Sequence, residues 1–222
     1  QRQILWSQLW VVIVMINLIG GRIIPAFTRN WLLKQQGEVA RGHLPAETGA
    51  IDYAATFALI VFSAATLLHP AETLILALAM ITAFLQVWRL LRWQGLRCRA
   101  EPLVWMMHLS YSWIPVGVLL FGFAQAGYIS VSAGVHALTI GTVASMIVSV
   151  SSRAALGHTG RPLQSHPLLT SAILLLTLSA LSRVGAAILA NDLLMTGATA
   201  FWIAGFLCFA IRYVPVLISP SD

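Results

Sequence analysis

Apolar runs alternate with short polar stretches along the whole chain. Seven runs stand out: Ile4–Leu18, Tyr53–Leu68, Thr73–Leu91, Leu103–Phe123, Ile129–Val150, Leu168–Leu189 and Met195–Leu217. A helix rising about 1.5 Å per residue needs about 20 such residues to cross a hydrocarbon core of about 30 Å, and most of the runs meet that length. The pattern predicts an all-α fold: a polytopic transmembrane helix bundle of about seven spans, forming a single membrane domain over residues 1–222 with no soluble domain. The one long connection it predicts is a cytoplasmic loop over residues 20–50. There Gly20 and Gly21 are placed to end the first helix with positive φ, and Pro25 to forbid its continuation.

Threading the runs alternately through a bilayer sorts the basic residues. Arg22, Arg29, Lys34, Arg41, Arg89, Arg92, Arg97, Arg99, Arg153, Arg161 and Arg212 fall on one side. The other side receives only Arg2, and Arg183 lies inside the sixth run. By the positive-inside rule the basic side is cytoplasmic and includes the C-terminus. The first span then enters from outside, and the chain opens on Gln1 with neither a basic leader nor a cleavage site. The expectation is that these are the last seven spans of a longer polytopic chain, whose remainder is an expected partner.

Composition supports a membrane class: 59% of residues are hydrophobic and 9% charged, against about 25% charged in soluble domains. The net charge of +6 resides in loops beside the membrane, so the expected partner is the lipid bilayer and its anionic headgroups rather than nucleic acid. Cys98 and Cys208 have no CxxC spacing and sit too far apart in this threading to pair, so neither a disulfide framework nor a thiolate metal site is expected. No phosphate-binding Gly-rich loop, no His-Glu-x-x-His helix and no Ser-His-Asp set is present. With acidic residues expected only in loops, a carboxylate proton relay is not expected either.

Ionisable residues inside apolar runs are costly and so are the candidates for chemistry. In the fourth run His108, Tyr111, Ser112 and Pro115 share a helical face, and Pro115 leaves the carbonyl of Tyr111 without its helical donor. That stripe is either an interhelical hydrogen-bond patch or a ligand site. His136, in a fifth run rich in small and hydroxyl residues, is either a packed histidine bonded to a hydroxyl or a metal ligand or proton carrier. The helical rise separates the two histidines in depth by about 15 Å, which points to separate sites. Gly141 and Ser145 form a small-xxx-small pair that predicts close helix packing. Beyond the fifth run, Gly157 is placed as a helix C-cap and Pro162 as a stop. Arg153, His158, Thr159 and Arg161 near them form either a topology-setting loop or a binding cluster for carboxylates or phosphates, such as a porphyrin's propionates. Arg183 needs a counter-ion: Asp192, a propionate or a group outside this chain. Arg22, Arg29 and Trp31 read as a headgroup anchor or a clamp, and the stretch Arg89–Glu101 with Trp93 as topology signal and anchor. His69 reads as a turn residue or an outer metal ligand beside Pro70 and Glu72, which suit a helix start.

Three stretches resemble signatures of the C-terminal half of the NnrS family: Gly21-Arg22-Ile23-Ile24-Pro25-Ala26-Phe27-Thr28-Arg29-Asn30, His136-Ala137-Leu138-Thr139-Ile140-Gly141, and Ser152-Arg153-Ala154-Ala155-Leu156-Gly157-His158-Thr159-Gly160-Arg161-Pro162. The resemblance implies a polytopic bacterial inner-membrane protein of about twelve spans, with haem (haem b) and copper as cofactors. It also implies a role in relief of nitric oxide stress, with redox activity on nitrogen oxides as the associated chemistry. It makes His136 and His158 candidate metal ligands, joined by His108. Tyr111, Arg153, Arg161 and Arg183 are candidate groups around the cofactor. The His-x-His-Glu-Met type motif of the family's N-terminal half has no counterpart here, so any metal site that uses it is incomplete in this chain. The competing expectation is a metal-free transporter or structural subunit that uses the polar stripe for packing or small-solute passage.

Overall fold

A computed structural model describes residues 2–36, 44–68 and 70–218. Among the described residues seven long helices follow one another: α1 (Arg2–Gln36), α2 (Ala50–Leu68), α3 (Glu72–Arg92), α4 (Pro102–Gln125), α5 (Val131–His158), α6 (Pro167–Leu189) and α7 (Asp192–Ile218). Each is long and apolar enough to cross a membrane. A short 3₁₀ turn, Gly95–Cys98, joins α3 to α4. All regular structure among the described residues is helical, as the apolar pattern predicts. The outward faces carry Phe57, Met80, Phe84, Leu181, Leu207 and Ile211, the surface a bilayer requires. The chain is a multi-pass membrane protein.

The first helix departs from expectation. It does not stop at Gly20–Gly21 but runs on through Pro25 to Gln36, so the predicted loop from residue 20 is corrected. Packing overrides local propensity here. Gly20 lies against the Tyr111 ring and Gly21 against the Arg89 guanidinium, while Ile24, Thr28 and Leu32 are fully buried. The glycines serve close approach rather than termination. At 35 residues and about 1.5 Å per residue, α1 exceeds the hydrocarbon thickness and projects beyond it at the basic end.

Helix starts follow capping chemistry. Glu101 accepts from the Leu103 N–H at 3.1 Å with Pro102 at the first helical position, and His166 Nδ1 accepts from the Leu168 N–H at 3.2 Å ahead of Pro167. Glu72 opens α3, whereas Pro70 lies before its cap, Ala71. The end of α5 is also corrected: Gly157 stays inside the helix and Gly160, at φ +66°, terminates it. Arg161 N–H donates to the Leu156 carbonyl at 3.0 Å and Gly160 N–H to that of Gly157 at 3.3 Å, a Schellman closure.

Buried α4 is the central helix, and α5 packs antiparallel to it along a close seam. A Cβ on Gly134 would come within 2.8 Å of the Phe121 backbone, and one on Gly141 would collide with the Trp113 ring. Gly117 receives Leu138 in the same way, and Ser110 meets Ser149 at 3.2 Å. The tight contact expected around Gly141 and Ser145 is present. Within this seam, residues Ala137–Ala144 are wound as a π-helix, which the sequence pattern did not predict.

Candidate functional site

The most polar part of the interior lies towards the basic end, and sequence reasoning missed it. Asp52 sits in the first turn of α2, is buried, and accepts from the Gly49 N–H at 3.0 Å. Arg89 of α3 donates through Nε to Asp52 Oδ1 at 2.9 Å, and through Nη1 to Asn17 Oδ1 and Tyr111 Oη, each at 3.0 Å. Gln86 also donates to Asn17 Oδ1, at 2.9 Å, and Tyr111 Oη lies 2.6 Å from the same oxygen. The guanidinium stands 5.2 Å from the Trp93 ring centroid, a cation–π contact. Three expectations change. An acidic residue does lie inside an apolar helix, Arg89 is a buried ion-pair partner rather than a topology-setting loop base, and Trp93 is core rather than an interface anchor. Asn17 and Gln86, amides inside apolar runs, were the available signal, because an amide in a span must find a polar partner.

His108 lies beside this cluster. The Thr28 hydroxyl donates to the Ile24 carbonyl at 2.9 Å, so its oxygen accepts from His108 Nε2 at 2.8 Å. That assigns the proton to Nε2 and leaves Nδ1 as a bare lone pair. Nδ1 is buried without a hydrogen-bond partner and rests against Gly95, where a Cβ would come within 2.5 Å of it. Cys98, fully buried in the 3₁₀ turn, lies beside Thr28. Burial pushes its thiol up to about 11, against smaller opposing effects of the Thr28 hydroxyl and of Arg97. Cys98 and Cys208 are both free thiols. His108 and Gly95 line a cavity of about 730 Å³ whose walls are Leu90, Leu91, Leu96, Trp105 and Leu109, with Arg97 and Arg99 also on its lining. The stripe expected on α4 is thus divided: Tyr111 belongs to the Arg89 cluster, His108 to the cavity, and Ser112 bonds the Leu109 carbonyl of its own helix at 2.7 Å.

His136 is held differently. Its Nδ1 lies 2.7 Å from the Ser132 carbonyl and 3.1 Å from the Ser132 hydroxyl. A carbonyl can only accept, so Nδ1 carries the proton and Nε2 is the bare nitrogen, with no hydrogen-bond partner among the described residues. Arg183 of α6 lies within electrostatic range. Because Gly134 meets Phe121 and Leu138 meets Gly117, His136 is level with about Leu119. The rise of α4 then sets it about 16 Å from His108 in depth.

The remaining candidates do not converge on either histidine. Arg153 stacks 4.0 Å over the Phe27 ring, His158 is exposed, and Arg161 belongs to the turn that closes α5. Arg29 pairs with Glu47 at 2.9 Å, and Arg22 is exposed. His69 lies outside the described residues. Among the described residues no group of three His, Cys, Asp or Glu side chains is arranged to hold a metal ion.

No curated protein and no solved structure matches the chain. One family model does, described as NnrS protein, and it covers residues 1–221, taking in the buried cluster, both histidines and the turn after α5. The chain belongs to the NnrS family.

Proposed function

We propose that this chain is a haem-binding component of nitric oxide defence in a bacterial inner membrane, with the cofactor's carboxylate-bearing edge at the cavity between α3 and α4. One observation carries the reading: His108 is held by Thr28 in the tautomer that leaves its buried Nδ1 without a hydrogen-bond partner, and the residue lines an apolar cavity with Arg97 and Arg99 on the same lining. The donor set fits a tetrapyrrole. The leucines and Trp105 match an apolar macrocycle, and guanidinium groups suit its propionates. When bound, haem would supply one-electron chemistry towards nitrogen oxides.

The protein's own contribution is positional. Thr28 holds the His108 ring and proton, Gly95 lacks the Cβ that would crowd Nδ1, Arg97 and Arg99 receive carboxylates, and the leucines exclude water. His136 is proposed as a second ligand position, because an Nδ1–H bonded to a backbone carbonyl presents Nε2 for coordination. Arg183 is its neighbouring charge. Family membership supports copper as well, but the described residues supply too few converging donors, so no copper chemistry is derived. The reading in which polar residues serve packing alone is favoured by the Ser110–Ser149 contact and by the mutual satisfaction of Asn17, Gln86 and Tyr111.

The test is the absorption spectrum of protein purified with haem supplied. A Soret band that shifts or weakens in His108→Ala, with faster haem loss in Arg97→Gln and Arg99→Gln, is the expected result. A band altered only by His136→Ala moves the cofactor to that site, and protein that takes up no haem overturns the proposal. The basic end is proposed to be cytoplasmic. In a Cys98→Ser, Cys208→Ser background, an impermeant thiol reagent on intact cells should then label Asn191→Cys and spare Gln164→Cys.

A further inference from the structure

We infer that a second, smaller cavity at the basic end binds an oxyanion group, a phosphate or a carboxylate. The cavity, about 310 Å³, lies where the end of α1, the start of α4 and the last turns of α5 meet, and its polar lining is Asn30, Trp31, Lys34, Gln35, Glu101 and Arg153. It shares no lining residue with the cavity beside His108, so the inference does not depend on haem.

The state of Arg153 carries the argument. Arg153 is half-buried, and its guanidinium carbon lies over the Phe27 ring at 4.0 Å from the centroid, a cation–π contact that uses none of its N–H donors. Among the described residues no hydrogen bond or ion pair takes those donors. The Lys34 ammonium, on the same lining, has no ion-pair partner among the described residues either. Glu101 is the single acid present, and its Oε1 is engaged by the Leu103 N–H at 3.1 Å as the cap of α4. Two cations therefore face one carboxylate that already has structural work, which leaves the cavity short of negative charge. Asn30, Gln35 and the Trp31 indole offer further N–H donors. A planar fork of donors beside a point charge matches a tetrahedral phosphate or a planar carboxylate, and a half-buried position strengthens each contact.

The oxyanion has two natural sources: the phosphate of an anionic lipid headgroup, which collects at the basic face of a membrane protein, or a small free oxyanion in solution. Two measurements on the full chain separate them. Calorimetric titration with inorganic phosphate in neutral detergent reads the free ion. Native mass spectrometry from nanodiscs of phosphatidylglycerol or phosphatidylcholine reads the lipid. Arg153→Gln and Lys34→Gln are each expected to weaken the observed binding about tenfold or more, the effect of losing one charge-assisted contact. Arg22→Gln, which removes an exposed charge from α1 outside the cavity, is expected to leave it unchanged. Retained phosphatidylglycerol without phosphate uptake assigns the lipid source, and phosphate uptake in detergent assigns the free ion. Binding of neither probe overturns the inference, as does an equal loss in Arg22→Gln. Lys34 is exposed, so its variant preserves the test if Arg153→Gln fails to fold.

Discussion

The two ends of this bundle handle polar groups in an apolar setting in opposite ways. At the basic end Arg89 draws partners from α1, α2 and α4 at once, and His108 is tied to α1. At the other end His136 bonds only to its own preceding turn, and α4 and α5 hold together by glycines that admit a neighbour's backbone or ring. One region locates its side chains by long-range polar bonds and the other by contact distance. The first resists change because every partner is buried. The second fixes the imidazole of His136 to its own helix alone among the described residues.

The largest expected effect sharpens the first half of this contrast. Asp52→Ala leaves the Arg89 guanidinium buried without its counter-charge and should cost about 3–5 kcal/mol in a detergent unfolding titration. A loss below about 1 kcal/mol would show that Asn17 and Tyr111 suffice. Gly134→Ala comes next. Its Cβ meets the Phe121 backbone, which cannot rotate away as a side chain can, and a penalty of about 1–3 kcal/mol is expected. An unchanged melting temperature would mean that the seam opens freely. Ser132→Ala removes only the hydroxyl near His136 and keeps the carbonyl, so about 0.5–1.5 kcal/mol or less is expected. A larger loss would place His136 among the over-determined groups.

A further test uses pH, and its effect is confined to an alkaline window. The Cys98 thiol keeps its proton up to about 11 in the folded chain but ionises near its ordinary value of 9.0 when unfolded. The unfolded state therefore binds fewer protons in that window, and stability is lost as pH rises through it. Wild type should lose more melting temperature than Cys98→Ser between those pH values. Equal slopes would show that the thiol titrates normally and that the turn beside His108 is open to water.

Helix number and the approximate ends of α2 to α7 were legible because long apolar runs bounded by polar residues admit little else in lipid. The end of α1 was not. Gly20, Gly21 and Pro25 carry local stop signals, and only the neighbouring Tyr111 and Arg89 side chains explain why the helix continues. His108 and His136 could be singled out from the cost of placing an imidazole in a span. Their tautomers could not, since these depend on Thr28, eighty residues from His108 in sequence, and on the Ser132 carbonyl. The Arg89 cluster was hidden for a related reason. Asp52 and Arg89 each stand at a helix end, where a charge ordinarily meets water, and burial becomes visible only once α1 and α4 close over them.

The π-wound stretch of α5 also acts as a phase setter between two sequence motifs. Each residue added to or removed from a helix turns all that follows by about 100°. With the hydrogen bonds over Ala137–Ala144 spaced one residue wider, the second half of α5 points where an uninterrupted α-helix would not carry it. Ser149 owes its position opposite Ser110, and Arg153 its position over Phe27, to that offset. A chain one residue shorter here would keep His136 in place and rotate Arg153 away from Phe27, so the spacing between these motifs is itself part of what assembles the basic end.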